Sequence, residues 1–256
     1  MAKVAVVGGA GRMGQTVARA IADTDDLNLV GLIDVREPAE NFGATYFSSI
    51  TDLSPDQVDV VVDFSTLDTA RETILWCIRN QRHAVVGTTG FTPKELEEME
   101  AGIKGSSGVV IAANFAVGAV LLQRFAKLAA PFFTRVELIE YHHDKKVDAP
   151  SGTALETARV IREARAEAGV VTPAEPTTHE TLPGSRGADY GDGIAIHAVR
   201  LPGLVAHQEV LFGREGEGLT LRHDAFDRIS FGAGVVLAVR KVQSKPGLTI
   251  GLDPLL

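Results

Sequence analysis

Several features are scarce or missing in this chain of 256 residues. It has one cysteine, Cys77, so no disulfide can form within the chain, which points to a reducing, cytoplasmic location. The longest apolar run, residues 231–239, is too short to cross a bilayer, and no signal peptide opens the chain, so we expect a soluble protein with no membrane partner. Excess positive charge is also missing, because the net charge of −8 argues against nucleic acid as a partner. No spacing typical of a metal site occurs.

The first part of the sequence alternates short apolar runs with helical patterns. The predicted strands are 3–7, 29–33, 58–64, 83–87 and 109–112, and the predicted helices are 16–22, 68–80 and 92–101. Repeated strand–helix units of this length predict a parallel sheet with helices on both faces, which is a Rossmann-like α/β domain.

The pattern changes after Phe115. We predict helices at 117–130, 154–168 and 227–242, strands at 136–140, 194–200, 205–212 and 219–223, and a loop-like stretch at 170–193 with a binding or interface role. Short connections without intervening helices predict an α+β domain with a mixed or antiparallel sheet. We therefore expect a dinucleotide-binding domain at 1–115 and a substrate-binding and oligomerisation domain at 116–226. Residues 227–256, whose helix is apolar on more than one face, are expected to pack back onto the first domain.

A glycine-rich turn follows the first predicted strand. Residues 8–14 read Gly-Gly-Ala-Gly-Arg-Met-Gly, and a helical pattern comes directly after them. Glycines permit a tight turn and a close approach of the backbone to a pyrophosphate, which rests on the helix N-terminus. A strand, this turn, a helix and a second strand in succession predict a dinucleotide site over a purely structural turn.

Asp34 ends the second predicted strand, at the distance where an acidic residue receives the ribose hydroxyls of adenosine. Its carboxylate favours a free 2′-hydroxyl and would repel a 2′-phosphate. Arg36, two residues further on, could pair with that phosphate. The sequence therefore predicts that NADH and NADPH are both used, and it does not rank them.

Three more loops follow predicted strands of the sheet, at residues 64–66, 87–90 and 112–115. Ligands gather beyond the carboxyl ends of parallel strands, and small or hydroxylated side chains suit a nicotinamide and its ribose. We interpret the loops as part of the nicotinamide pocket, with ordinary turn chemistry as the alternative for each.

Residues 140–153 read Glu-Tyr-His-His-Asp-Lys-Lys-Val-Asp-Ala-Pro-Ser-Gly-Thr, a segment too polar for a core. Thr153 and Glu156 predict a capping box at the start of the next helix, and the free amides of residues 151–153 would hold a carboxylate or phosphate. Lys146 adds a point charge. Neighbouring residues on a strand end face opposite sides, so one of His142 and His143 is expected to donate a proton while the other binds. We interpret the segment as an anion-binding catalytic loop; the alternative is a polar surface turn.

These motifs resemble those of the 4-hydroxy-tetrahydrodipicolinate reductases, also called dihydrodipicolinate reductases, of the bacterial diaminopimelate and lysine pathway. The resemblance lies in Glu-Tyr-His-His-Asp-Lys-Lys-Val-Asp-Ala-Pro-Ser-Gly-Thr-Ala at 140–154, the glycine-rich turn, Val-Val-Gly-Thr-Thr-Gly-Phe at 85–91 and Ala-Asn-Phe at 113–115. Residues 199–213 are also similar, so the resemblance covers essentially the whole chain.

The resemblance implies an oxidoreductase that reduces 4-hydroxy-tetrahydrodipicolinate, a small anionic dicarboxylate, with NADH or NADPH, and a homotetramer assembled through the sheet of the second domain. It implies that His142 is the proton donor and that Lys146 is a second donor or a charge partner. His143, Gly152 and Thr153 would bind the substrate, together with Ser151. The implied cofactor residues are Gly8, Gly9, Ala10, Gly11, Arg12, Met13, Asp34, Gly87, Thr88, Thr89, Ala112, Ala113, Asn114 and Phe115. Some members carry a basic residue directly after the acid, whereas Val35 follows Asp34 here and the basic residue is Arg36, a departure that bears on the choice of cofactor.

Two other functions remain open from the sequence. Another two-domain dehydrogenase, acting on an amino-acid aldehyde or a sugar, would keep the glycine-rich turn but need a different substrate loop. A non-catalytic nicotinamide-sensing protein would bind the cofactor without turnover.

Overall fold

The computed structural model of the chain describes residues 1–256, which divide into two compact units. The first unit is Met1–Val117 together with Arg228–Leu256, and the second is Gly118–Asp227. The breaks predicted after residues 115 and 226 lie close to these bounds.

A seven-stranded parallel sheet forms the centre of the first unit. Its strands are β1 (Ala2–Val7), β2 (Leu27–Ile33), β3 (Thr45–Phe47), β4 (Val60–Asp63), β5 (His83–Val86), β6 (Gly108–Ile111) and β12 (Gly247–Ile250), in the order β12-β6-β5-β4-β1-β2-β3. Its helices are α1 (Arg12–Ala22), α2 (Leu67–Arg79), α3 (Pro93–Gly102) and α6 (Ser230–Val242). The predicted Rossmann-like architecture is confirmed, but the sequence patterns did not indicate β3 and β12.

Local chemistry explains where these elements begin and what they bury. The four residues of β4 are fully buried, as expected of a strand covered on both faces. At α3 the Thr92 hydroxyl accepts from the amide of Glu95, the Glu95 carboxylate accepts from the amide of Thr92, and Pro93 takes the first helical position. The predicted start of this helix is therefore confirmed.

Helix α6 comes from the far end of the chain and completes the first unit. An added Cβ would lie 2.8 Å from the Cβ of Ala20 at Gly232, and 1.9 Å from the carbonyl oxygen of Phe115 at Gly234. Small residues thus let α6 come close to α1 and to the loop after β6. None of the helices of the chain combines the length and the apolar character that a membrane span requires.

The second unit has a five-stranded mixed sheet. Its strands are β7 (Arg135–His142), β8 (Ala188–Gly191), β9 (Ile194–Arg200), β10 (Ala206–Arg214) and β11 (Glu217–Ala225), and its helices are α4 (Val117–Ala129) and α5 (Gly152–Glu167). The order is β11-β10-β7-β9-β8, with β7 and β9 parallel and the other pairs antiparallel. The predicted mixed sheet is confirmed.

Alternate residues of the central strands face α5. Val136 and Leu138 of β7 share a buried cluster with Ala158 and Ile161 of α5. Arg165, near the end of α5, is also buried, and its guanidinium donates to the carbonyl oxygens of Thr134 and Asp192 and to a threonine hydroxyl. These bonds attach the segment predicted as a loop at 170–193 to the sheet, and the last part of that segment forms β8.

Candidate active site

The carboxyl ends of five parallel strands carry the predicted cofactor residues of the first unit. Because β1, β2, β4, β5 and β6 are parallel neighbours, the loops after them lie along one edge of the sheet. The strand order reverses direction at β1 and β4, which is the crevice where open sheets of this type bind ligands.

The glycine-rich turn packs too tightly for larger residues. Gly8 has a φ of +80°, and a Cβ there would lie 2.7 Å from the carbonyl oxygen of Phe64. A Cβ on Gly14 would lie 1.9 Å from the carbonyl oxygen of Gly8, so only glycine lets α1 start so close to the turn. Gly9 and Ala10 lie in the turn, Gly11 is the N-cap residue of α1, and Arg12 and Met13 begin the helix.

The N-terminus of α1 offers donors to an anion. Gly11 provides no side-chain cap, and the first turn of α1 contains no acidic residue. The first amides of the helix therefore keep their hydrogen-bonding capacity and the positive end of the helix dipole. A backbone cradle that excludes Cβ atoms and ends in such a helix fits the pyrophosphate of a dinucleotide.

Asp34 follows β2 beside this turn. One carboxylate oxygen accepts from the amide of Ala10 at 3.0 Å, and the other accepts from the amide of Arg36 at 3.2 Å. Arg36 is exposed, as is Arg12. The structure therefore brings Asp34 to the turn, and it leaves exposed guanidinium groups at the start of α1 and two residues after Asp34.

The loops after β4, β5 and β6 are held together by aromatic packing. The rings of Phe64 and Phe115 lie 5.5 Å apart, and a Cβ on Gly87 would lie 2.1 Å from an atom of the Phe64 ring. The Asn114 side chain accepts from the amide of Ala116 and fixes the turn after β6. Ala112 and Phe115 are buried, whereas Thr89 and Ala113 are exposed in the same loops.

A buried carboxylate, Asp63, organises two of these loops. It accepts from the hydroxyl and amide of Ser65, from the Thr73 hydroxyl and, at 3.4 Å, from the Thr88 hydroxyl. Burial raises the pKa of Asp63, although these donors oppose the shift. We infer that Asp63 sets the positions of Ser65 and Thr88.

In the second unit, the two predicted histidines stand at the end of β7. His142 is the last residue of the strand and His143 follows it. The Nδ1 atom of His142 faces the Oε2 atom of Glu140, whose side chain is 1% exposed. The other oxygen of Glu140 accepts from Arg200 at 2.7 Å and from the amide of Ser151 at 3.3 Å. Burial alone would raise the pKa of Glu140, but the hydrogen bonds from His142 and Arg200 outweigh it and lower the pKa.

Lys146 lies in the turn after these histidines. Its ammonium group donates to both carboxylate oxygens of Asp148 at 2.8 Å, which lowers the pKa of Asp148. Arg200 donates to the backbone carbonyl of Asp148, so the turn is also tied to β9. The structure thus brings together His142, Lys146 and the start of α5.

The start of α5 differs from the prediction in one respect. The capping box of Thr153 and Glu156 is wrong, because Ser151 is the N-cap residue and its hydroxyl accepts from the amide of Ala154. Glu156 pairs with Arg159 instead. Gly152 is exposed, and a Cβ added there would meet no atom within 4 Å. The three free amides predicted at residues 151–153 are not all free, because the amide of Ser151 donates to Glu140; the backbone is open at Gly152.

Two residues of this cluster escaped the predicted set. Glu140 lies two residues before His142, so alternation along the strand already indicated that both face the same side. Arg200 lies opposite His142 in the pairing of β7 with β9, and no local pattern in the sequence reveals that register.

Comparisons with known proteins agree with this geometry. Sequence models described as dihydrodipicolinate reductase, N-terminus, and dihydrodipicolinate reductase, C-terminus, match residues 2–115 and 118–256. Proteins named 4-hydroxy-tetrahydrodipicolinate reductase from Mycobacterium marinum and Nocardia farcinica are 48% and 49% identical to the chain, covering 99% of it and 98% of each relative. A solved structure, the dipicolinate-bound dihydrodipicolinate reductase from Paenisporosarcina sp. TG-14, is 40% identical, with a TM-score of 0.90 and full coverage of both chains.

Proposed function

Since the chain belongs to the dihydrodipicolinate reductase family, we infer that its first unit binds the coenzyme and its second unit binds the substrate of an NAD(P)H-dependent reductase. The enzyme reduces 4-hydroxy-tetrahydrodipicolinate to tetrahydrodipicolinate in the biosynthesis of diaminopimelate and lysine. The observation that carries this function is the match of both halves of the chain to one family, over nearly its full length.

We propose that the glycine-rich turn and α1 hold the coenzyme pyrophosphate and that Asp34 receives the adenosine ribose. The coenzyme residues proposed are Gly8, Gly9, Ala10, Gly11, Arg12, Met13, Asp34, Arg36, Gly87, Thr88, Thr89, Ala112, Ala113, Asn114 and Phe115. The packing of Phe64 against Gly87 and Phe115 supports a shared pocket for the loops after β4, β5 and β6. Use of NADH and NADPH is expected, because Asp34 and Arg36 favour opposite forms of the ribose.

We propose that the substrate carboxylates bind to Lys146, His143 and the residues at the start of α5. The related enzyme from Paenisporosarcina holds dipicolinate, a planar dicarboxylate. The overall charge of −8 repels a dianion, so affinity must come from local donors. Open backbone at Gly152, the partly exposed hydroxyl-bearing Thr153 and the ammonium group of Lys146 offer such donors in one place.

A nicotinamide held by the first unit would supply the hydride for the reduction, and the reaction also needs one proton. His142 gives that proton, because a histidine imidazolium can give up a proton near neutral pH at little cost. Lys146 neutralises a carboxylate and stabilises the negative charge that develops next to the attacked carbon. For this, the ammonium group of Lys146 has to turn from Asp148 to the ligand.

We propose a homotetramer formed through the sheet of the second unit. The sheet face opposite α5 presents Ile139, Tyr141 and Leu211, which remain partly exposed. A further apolar surface is formed by α4 and β11, where Phe125 is 48% exposed and Leu128 66% exposed. Surfaces of this kind fit contacts between subunits, and light scattering on the purified protein would test the mass.

The buried, reduced Cys77 supports the cytoplasmic location proposed from the sequence.

A coupled assay tests the proposed activity. Substrate is generated in situ, and coenzyme oxidation is followed by loss of absorbance. Turnover that depends on the dicarboxylate substrate supports the reductase. Coenzyme binding without turnover would identify a nicotinamide-sensing protein, and oxidation only with an amino-acid aldehyde or a sugar would identify a different dehydrogenase.

A further inference from the structure

Glu140 is a fully buried carboxylate beside the proposed proton donor. Its relative exposure is 0%, and its partners come from three segments of the second unit: His142 from the same strand β7, Arg200 from β9 and Ser151 from the start of α5. A buried carboxylate without partners is strongly destabilising, so its position requires these contacts.

The two carboxylate oxygens of Glu140 make different contacts. Oε1 accepts from the Arg200 guanidinium and the Ser151 amide, which balance the charge. Oε2 faces only Nδ1 of His142. A carboxylate oxygen accepts and does not donate, so a hydrogen bond between these two atoms requires the hydrogen to be on Nδ1. In a histidine, the bond made by one ring nitrogen decides what the other nitrogen can do.

We propose that Glu140 is a positioning residue that keeps Nδ1 of His142 protonated and leaves Nε2 as the nitrogen that gives the proton to the substrate. The inference rests on the proposed role of His142. In the step itself, the Nε2–H bond of the imidazolium breaks and its electron pair stays on Nε2. The proton forms a bond to the atom next to the carbon that received the hydride. Neutral imidazole remains, still donating through Nδ1 to Glu140, and solvent restores the second proton.

Arg200 connects Glu140 to the turn that contains Lys146. One of its terminal nitrogens donates to Glu140 and to the backbone carbonyl of Asp148, the residue that pairs with Lys146. Glu140 therefore holds the His142 ring directly and the Lys146 turn through Arg200.

The first test is Glu140→Gln in the full-length enzyme. We expect kcat to fall by about a hundredfold, because general acid catalysis depends on the correct protonation of the ring. KM for the coenzyme should stay the same, because the substitution lies in the second unit and leaves the first unit unchanged. Glu95→Gln is the matched control: Glu95 also accepts from an arginine and a backbone amide, but no histidine faces it. Wild-type kcat in Glu140→Gln would overturn the proposal.

The second test asks whether Glu140 acts through His142. In the His142→Gln background, Glu140→Gln should lower kcat by less than about threefold, because residues that act as a unit are not additive. Independent losses that multiply in the double variant would overturn the positioning role. Full turnover in His142→Gln alone would instead remove His142 from the mechanism, so the two failures are distinguishable.

A third measurement needs no Glu140 variant and stays informative if that variant does not fold. In the wild-type enzyme labelled with ¹⁵N-histidine, the signals absent from the His142→Gln spectrum belong to His142. At a pH where the ring is neutral, we expect the tautomer with hydrogen on Nδ1. The tautomer with hydrogen on Nε2 would overturn the proposal.

Discussion

Gly152→Ala separates the stability of the second unit from ligand binding. The added Cβ would meet no atom within 4 Å, and Gly152 does not have a positive φ. Alanine in place of glycine stabilises a helix by up to about 1 kcal/mol. Since Gly152 is the first residue of α5, we expect a melting temperature that is unchanged or slightly higher.

The same methyl group lies where the proposal puts a substrate carboxylate. If it keeps that carboxylate from one helix amide, the loss is one charge-assisted hydrogen bond, about 1.5 to 3 kcal/mol. Since each 1.4 kcal/mol is a factor of about ten, Kd for the ligand should rise roughly tenfold to a hundredfold. Stability and affinity thus move in different directions.

Calorimetry with pyridine-2,6-dicarboxylate, at saturating coenzyme, measures the affinity, and thermal unfolding measures the stability. The control is Gly102→Ala at the end of α3, where an added Cβ lies 3.9 Å from a methyl carbon of Ile78, an ordinary contact. Its affinity for the dicarboxylate should equal that of the wild type. A Gly152→Ala protein that folds and binds the ligand as tightly as the wild type would refute the location of the carboxylate.

Three further predictions concern the two sites. His142→Gln should lower kcat by about a hundredfold or more with nearly unchanged coenzyme affinity, because only the proton donor is lost; near-normal turnover would contradict this role. NADH and NADPH should differ by less than about a hundredfold in kcat/KM, since Asp34 and Arg36 oppose each other, and a strict preference would show that only one of these side chains reaches the ribose. Lys146→Met should weaken binding of pyridine-2,6-dicarboxylate by about 1.5 to 3 kcal/mol; calorimetry that finds no change would place the substrate elsewhere.

Local sequence patterns were sufficient to predict the helices and strands in which buried apolar residues recur at a regular spacing. Strand β9 has the predicted bounds of 194–200, and helix α4 begins at the predicted residue 117. Strands β3, β8 and β12 have only three or four residues each and lie at sheet edges, and β12 pairs with β6, which is distant in sequence. A short strand at a sheet edge leaves little periodicity to detect.

In the candidate site, too, the sequence predicted features within one segment but not contacts between segments that are distant in sequence. The glycine-rich turn and the histidine segment are continuous in sequence, so their chemistry was readable residue by residue. The error at α5 arose because Ser151 and Thr153 are both good capping residues, and only the fold decided in favour of Ser151. Arg200 and its contact with Glu140 join positions 60 residues apart, which requires the strand register.

The first unit is discontinuous in sequence, and this has a consequence for synthesis on the ribosome. Residues 118–227 emerge as one block and contain every strand of the mixed sheet, so that unit can fold while translation continues. The first unit has to wait, because α6 and β12 are made last, and α6 alone contributes seven buried residues. A nascent chain released at residue 227 would contain a complete second unit and a first unit whose parallel sheet lacks one edge strand and one covering helix.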